Sequence, residues 1–271
     1  MNGAIFSNID VRDYKGICCS TNTEFPDEFE LKMLRVKDQK NINSCVAHVL
    51  SSIIEYYNFN QQNITKEMSV GYIYGNRTIS TYKEEGMIVR DALEVVRLYG
   101  DVYQKDFPYN KEVPTIIELY ENDSEKLYNS GYVNRISTYY KLESPSSIKA
   151  TLMNNIPVLI GIKWYKDIKV VDGILTSKFD KSDYTGGHCM LLYGWNQKGW
   201  KVQNSWGYSW GDNGCAIIPY DIKLIECWAI TDDIINENDT DIYVKKPFSS
   251  KFGKWVAKYL NYILKYFIKI K

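Results

Sequence analysis

Histidine is scarce in this 271-residue chain, which has only His48 and His188. No cluster of Cys and His carries zinc-site spacing, so neither a structural metal nor a cofactor is expected. The cysteines are unevenly placed: Cys18, Cys19, Cys45, Cys189, Cys215 and Cys227, with none between Cys45 and Cys189. An excess of one charge is also missing, since 33 Lys and Arg balance 33 Asp and Glu. That balance removes any global preference for nucleic acid or membrane, so partners must be argued locally. Residues 1–23 lack a basic start followed by an apolar core, and a secretory signal is not expected there.

What the chain does have begins at residues 36–48, Val-Lys-Asp-Gln-Lys-Asn-Ile-Asn-Ser-Cys-Val-Ala-His. From Val46 the apolar residues fall at Val46, Val49, Leu50, Ile53 and Tyr57, one face of a 3.6-residue period, and the residues before them are polar and cap-like. A helix is therefore expected to begin at or beside Cys45. A thiol there faces unpaired backbone N–H groups at the positive end of the helix dipole. Both favour thiolate, the form that attacks carbonyl carbon. On this segment alone an isolated cysteine is more often a buried structural residue. The second half of the chain reverses that balance. It supplies His188 at the start of a strand-like run, after Gly186 and Gly187, and Asn204 in the segment Asn-Ser-Trp-Gly-Tyr-Ser-Trp-Gly-Asp-Asn-Gly at 204–214. An early Cys with a distant His and Asn is the arrangement in which neighbours in space form nucleophile, base and orienting group.

These motifs resemble the papain-like cysteine peptidases. Gln39 lies six residues before Cys45, as the oxyanion-hole glutamine does in that family. Residues 204–214 are similar to the family's Asn-Ser-Trp-Gly segment almost residue for residue. Weaker matches at 86–93, 99–100, 107–109 and 156–162 follow in the family's order, so the resemblance spans about 8–230. It implies an α+β, papain-like two-lobe fold, with a helical lobe at about 31–130 and an antiparallel sheet or open barrel at about 131–231. Texture agrees: apolar residues at 68–74 and 89–98 have helical spacing, and from Gly131 β-branched and aromatic runs take over, with a short helix near 146–154.

The resemblance also implies roles. Cys45 attacks the peptide carbonyl, His188 moves the proton, Asn204 orients the imidazole, and Gln39 with the Cys45 N–H binds the oxyanion. Trp206 would shield the Asn–His bond from water. Gly86, Asn43, Gly187 and Trp206 are expected beside the substrate, Gly86 being equally readable as an ordinary turn glycine. His48 is the competing base, but it lies one turn beyond Cys45 while a helix-start thiol projects backward. The chain departs from the family pattern where Val46 replaces the usual aromatic and where Asn43 stands in place of glycine, which narrows the cleft. Ile42 occupies the position from which secreted relatives form a disulfide, so that staple cannot form. A reducing intracellular compartment, whether bacterial, viral or host cytoplasm, is favoured.

Outside the lobes, residues 1–30 resemble the short N-terminal arm of bacterial and viral members, either packing along the sheet or acting as a removable plug. Residues 232–250 have linker composition. At 251–271, Phe252, Trp255, Val256, Tyr259, Ile263, Phe267 and Ile270 share one face of an expected helix, opposite Lys251, Lys254, Lys258, Lys265 and Lys269. The lysines break the apolar run too often for a bilayer span, so this helix is expected to lie on an anionic membrane surface or on protein. The leading function is a thiol endopeptidase acting on peptide or protein. An exopeptidase or acyl-transfer enzyme on the same fold, or a vestigial binding module, remains alongside it.

Overall fold

The computed structural model of the protein describes residues 3–10, 13, 24–77, 86–109, 124–176 and 183–232. The helix expected at 251–271, and the linker beyond Asp232, lie outside the described residues.

The expected first helix is α1, Cys45–Gln62, and it starts at Cys45 itself. It is more deeply embedded than one apolar stripe would require, since nearly every residue from Cys45 to Asn58 is buried. Polar side chains on its other faces are absorbed by partners. Tyr57 Oη donates to the Ile230 carbonyl at 2.6 Å and Asn58 Nδ2 to Asn134 Oδ1 at 3.0 Å. The helix ends where Asn63 turns left-handed, its N–H returning to the Phe59 carbonyl, as a C-terminal cap does. Helix α2, Val70–Gly75, is started by the Ser69 side chain accepting from the Tyr72 N–H, and α3, Val89–Tyr99, packs beside α1. Helix α4, Ser124–Tyr132, carries the helical texture past the expected boundary at Gly131. Gly131 sits in its last turn, where a Cβ would lie 2.5 Å from the Tyr99 carbonyl oxygen. Close helix-to-loop packing, and not the start of a strand, is what that glycine permits. The helix expected near 146–154 is α5, Pro145–Met153, with a reciprocal Ser144–Ser147 capping box and proline in its first turn.

The other half is one sheet. Its principal strands are β4 (Thr138–Lys141), β5 (Val158–Tyr165), β8 (Tyr184–Asn196), β9 (Gly199–Gln203), β10 (Cys215–Ile218) and β11 (Leu224–Thr231), ordered β4-β11-β5-β8-β9-β10. These pair antiparallel throughout. Two short strands, β6 (Val170–Val171) and β7 (Ile174–Leu175), extend the far edge, where β7 runs parallel to β10. Strand β5 is buried at seven of its eight positions, the pattern of a strand covered on both faces. Helix α1 lies against β8, so the helical half and the sheet share one core. Strand β2 (Phe29–Glu30) pairs with the end of β8. Strand β1 (Ala4–Ile5) pairs with the start of β8 and with β3 (Met87–Ile88). Among the described residues no helix is long and apolar enough to cross a membrane.

His48 is part of this core. Its Nδ1 lies 3.0 Å from the Ser44 carbonyl oxygen, and the ring meets Tyr109 edge-on at 5.2 Å. Burial, reinforced by the charge of Lys37, drives its pKa down to about 3 despite the bond to Ser44. A histidine held neutral in the fold stabilises it fully above the unfolded pKa of about 6.5, and loses that contribution as the pH falls toward the folded value. Between pH 7 and pH 5 the loss amounts to about 2 kcal/mol. Urea unfolding at those two pH values should therefore show a pH dependence about 2 kcal/mol shallower in His48→Gln than in the unaltered protein. Equal dependence in the two proteins would mean that His48 is charged in the fold.

Candidate active site

The two halves of the core meet at four residues that the sequence singles out. Cys45 opens α1, His188 lies early in β8, Asn204 follows β9, and Gln39 sits in the loop leading into α1. All four are buried.

His188 Nε2 is 2.8 Å from Asn204 Oδ1, and the same oxygen accepts from the Ser205 N–H at 2.8 Å. Two donors on one oxygen fix which end of the Asn204 amide faces the imidazole, so Nε2 carries the proton and Nδ1 is the basic nitrogen. Aromatic rings enclose the pair. The Trp206 ring lies 4.7 Å from that of His188, Trp164 meets His188 edge-on at 5.0 Å, and Trp164 meets Trp206 at 4.9 Å. Water is kept from the Asn–His bond, which strengthens it.

Burial alone would push the Cys45 thiol upward. Hydrogen bonding from the Cys189 thiol and from His188, with the His188 charge, outweighs burial and holds it well below the ordinary thiol range. Cys189 moves the other way: burial and the neighbouring Cys45 raise it well above that range, so it stays protonated and donates. His188 Nδ1 makes no hydrogen bond of ordinary geometry to a protein atom. Helix polarity adds to the effect. Ser44 does not cap α1; its hydroxyl is 2.7 Å from Tyr109 Oη, which in turn donates to the Gln39 carbonyl at 3.2 Å. The first amides of the helix are left without a side-chain cap at the end where the sulfur stands.

Gln39 is locked from three sides. Its Oε1 accepts from Ser205 Oγ at 2.7 Å, its Nε2 donates to the Ile42 carbonyl at 2.8 Å, and its backbone N–H donates to the Ser205 carbonyl at 2.8 Å. One Nε2 hydrogen remains for a ligand. Gly207 closes the same seam, its N–H donating to the Lys37 carbonyl at 3.0 Å. It does so at φ +75°, where a Cβ would press on the Asp38 carboxylate.

Of the residues expected beside substrate, the structure brings Asn43, Gly86 and Gly187 together around one extended segment, residues 3–5. Trp206 is not among them and packs on the imidazole. His48 is bonded into the turn before α1 and takes no part in the pair. The sequence reading missed what Trp164, the Cys189 thiol, the Ser205 hydroxyl and the Ser44–Tyr109 pair do here. Only the place of Cys189 directly after His188, and of Ser205 directly after Asn204, offered a hint. Cys45, Cys189, Cys215 and Cys227 are free thiols. No group of three or more His, Cys, Asp or Glu gathers as a metal site among the described residues.

Comparison with known proteins places this geometry. The family model "Papain family cysteine protease" matches residues 25–233. An uncharacterized peptidase C1-like protein of Acanthamoeba polyphaga mimivirus is 26% identical over 227 residues, covering 74% of this chain and 72% of the relative. A cysteine proteinase of Theileria parva is 27% identical over 186 residues, and there the match spans 66% of this chain but 39% of the relative. Among solved structures, xylellain, a cysteine protease from Xylella fastidiosa, superposes with a TM-score of 0.72 at 22% identity, over 86% of this chain and 96% of that one, which establishes the fold. With the family model matching more than three-quarters of its length, the chain belongs to the papain family of cysteine proteases.

Proposed function

We propose that the chain hydrolyses internal peptide bonds with Cys45 as nucleophile, His188 as general base and acid, Asn204 as the group that orients the imidazole, and Gln39 with the Cys45 N–H as oxyanion donors. The observation that carries this reading is the buried sequence thiol, imidazole, amide, in which the thiol is held well below its ordinary range. The Cys45 thiolate, its proton already on His188 Nδ1, attacks the carbonyl carbon. Collapse of the tetrahedral intermediate breaks the C–N bond, and the same proton goes to the leaving amine, which leaves a thioester. Water, deprotonated by His188, then hydrolyses the thioester and restores the thiol. The developing oxyanion meets the second Nε2 hydrogen of Gln39 and the first amide of α1, a side-chain donor of this kind contributing about 3 kcal/mol. Extended peptide would lie along Asn43, Gly86 and Gly187, where small or recessed side chains let two backbones approach.

Cys45→Ala should abolish peptide hydrolysis while leaving the fold intact. His188→Ala should be comparably damaging, and Asn204→Ala less so, because the base survives when its orientation is lost. Gln39→Ala should lower kcat by roughly 100-fold. Peptide turnover by Cys45→Ala would end the reading, and product analysis with a mixed peptide library tests whether the cut is internal. The rate of Cys45 alkylation by iodoacetamide should titrate with a midpoint well below that of an ordinary thiol, and His188→Ala should move the midpoint up. An unmoved midpoint would count against the pairing.

We also propose, from sequence, that residues 251–271 form an appended basic amphipathic helix that docks on anionic membrane, beyond a linker that follows the 31–231 peptidase domain. Flotation of the full chain with anionic and neutral vesicles tests this. Binding to anionic vesicles that high salt reverses is expected; no binding at low salt would leave a protein surface as the dock.

A further inference from the structure

We propose that Cys189 is a resolving thiol for Cys45: a hydroperoxide converts the pair to an internal disulfide that blocks the site, and a dithiol reopens it. This rests on the reading of Cys45 as the nucleophile. Cys189 directly follows His188 in β8, opposite Gly161 of β5, and helix α1 lies against this strand. Two contacts join Cys189 to the Cys45 sulfur, one from its thiol and one from its backbone N–H. A sulfur within reach of both belongs to a side chain anchored close by, as closure of a disulfide requires. Both thiols are free and fully buried. The other described thiols are engaged elsewhere, Cys215 with Tyr193 and Cys227 in the field of Glu226 and Lys141. Hydrogen bonding alone would not call for sulfur, because a thiol is a weak donor and a hydroxyl serves better. What a thiol adds at this position is redox chemistry.

One peroxide suffices for the reaction. The Cys45 thiolate attacks a peroxide oxygen and the O–O bond breaks, which leaves Cys45 as a sulfenic acid. The departing hydroxide takes the proton of the His188 imidazolium and becomes water. The Cys189 sulfur then attacks the sulfenic sulfur; the S–O bond breaks, and the hydroxyl leaves with the Cys189 proton as a second water. Two electrons have passed from the two sulfurs to the peroxide. The surroundings set the order of these steps. Burial and the neighbouring Cys45 keep Cys189 protonated, so it is inert toward peroxide while Cys45 is charged. Once Cys45 becomes a neutral sulfenic acid, that opposing charge is gone and Cys189 ionises more readily. Being already in contact, it captures the sulfenic acid ahead of a second peroxide, which would otherwise carry Cys45 on to a sulfinic acid that thiols do not reduce. Reduction favours the starting state as well. The sulfur of lower pKa leaves faster, so an external thiolate attacking Cys189 expels Cys45 as thiolate, and the second thiol of the reductant frees Cys189 by closing its own disulfide. Neither sulfur has exposed surface, but any path that admits peptide to Cys45 admits a hydroperoxide.

The test treats the full chain with hydrogen peroxide, caps the remaining thiols with iodoacetamide under denaturing conditions, and maps the peptides by mass before and after dithiothreitol. Cys189→Ala and Cys189→Ser are treated alongside, each compared with its own untreated sample so that a change in basal rate does not enter. The unaltered chain should lose two hydrogens and show the Cys45 peptide joined to the Cys189 peptide, and dithiothreitol should separate them and restore peptide hydrolysis in full. Both variants should instead gain oxygen at Cys45 as sulfinic or sulfonic acid, with a loss of hydrolysis that dithiothreitol does not reverse. Cys45 gaining oxygen in the unaltered chain as readily as in the variants, or joining a thiol other than Cys189, would overturn the proposal. The joined peptides in the unaltered chain are decisive without either variant and need no turnover. That bond in a chain that hydrolyses no peptide would uphold the thiol pair and sink the protease reading, and hydrolysis without the bond would do the reverse, so the two fail separately.

Discussion

The arrangement depends on a short antiparallel seam between residues 37–39 and 205–207. Its bonds run from the Gln39 N–H to the Ser205 carbonyl, from the Gly207 N–H to the Lys37 carbonyl, and from the Ser205 hydroxyl to Gln39 Oε1, with Asp38 and Trp206 paired between them. The thiol comes from a helix and the imidazole from a sheet. Their relative position is only as good as the attachment between those halves, and the seam joins them next to both. Backbone bonds suit this task, because a peptide group has no rotamer freedom to lose and its geometry is fixed within a few tenths of an ångström.

One end of the seam is anchored by a buried charge. Lys37 Nζ is 2.7 Å from Glu55 Oε1, 2.9 Å from Ser51 Oγ and 3.0 Å from the Met68 carbonyl, and Glu55 also accepts from the Met68 N–H at 2.7 Å. A pair so enclosed adds little net stability over an apolar replacement, yet leaving either member alone typically costs about 3–5 kcal/mol. Its effect is specificity: Lys37 has one place to go, on α1, and the residues after it enter the seam in one register. His48, Ser44 and Tyr109 do the equivalent on the other side of the loop, holding the turn from Gln39 to Cys45 against the helix they precede.

The candidate site was legible in the sequence to the extent that it is local. Cys45 at a helix start follows from hydrophobic period and polar lead-in, and His188 and Asn204 follow from their strand-like and glycine-rich surroundings. The capped helix α5 was readable for the same reason. What could not be read is contact between residues far apart in the chain: Trp164 against His188, Cys189 against Cys45, Ser205 against Gln39. Nothing in the spacing of those residues specifies the partner. A glycine marks either a break or a close approach, and Gly131, in the last turn of α4 against the Tyr99 carbonyl, is the second. Strand β1 has two residues, too few for any alternation to show, so its pairing with Met87 and Gly187 could not be read.

The uncapped start of α1 has a consequence for how the protein stores reactivity. Ser44 is the residue that would ordinarily cap this helix, and its hydroxyl is committed to Tyr109 and the loop. The sulfur of the helix's own first residue stands at that uncapped end, held toward thiolate by Cys189 and His188. An anion at a helix start and the helix dipole stabilise each other, so a thiolate here also steadies the first turn. Cys45 is therefore also a structural member, and any event that neutralises its sulfur removes that contribution from the turn that carries it.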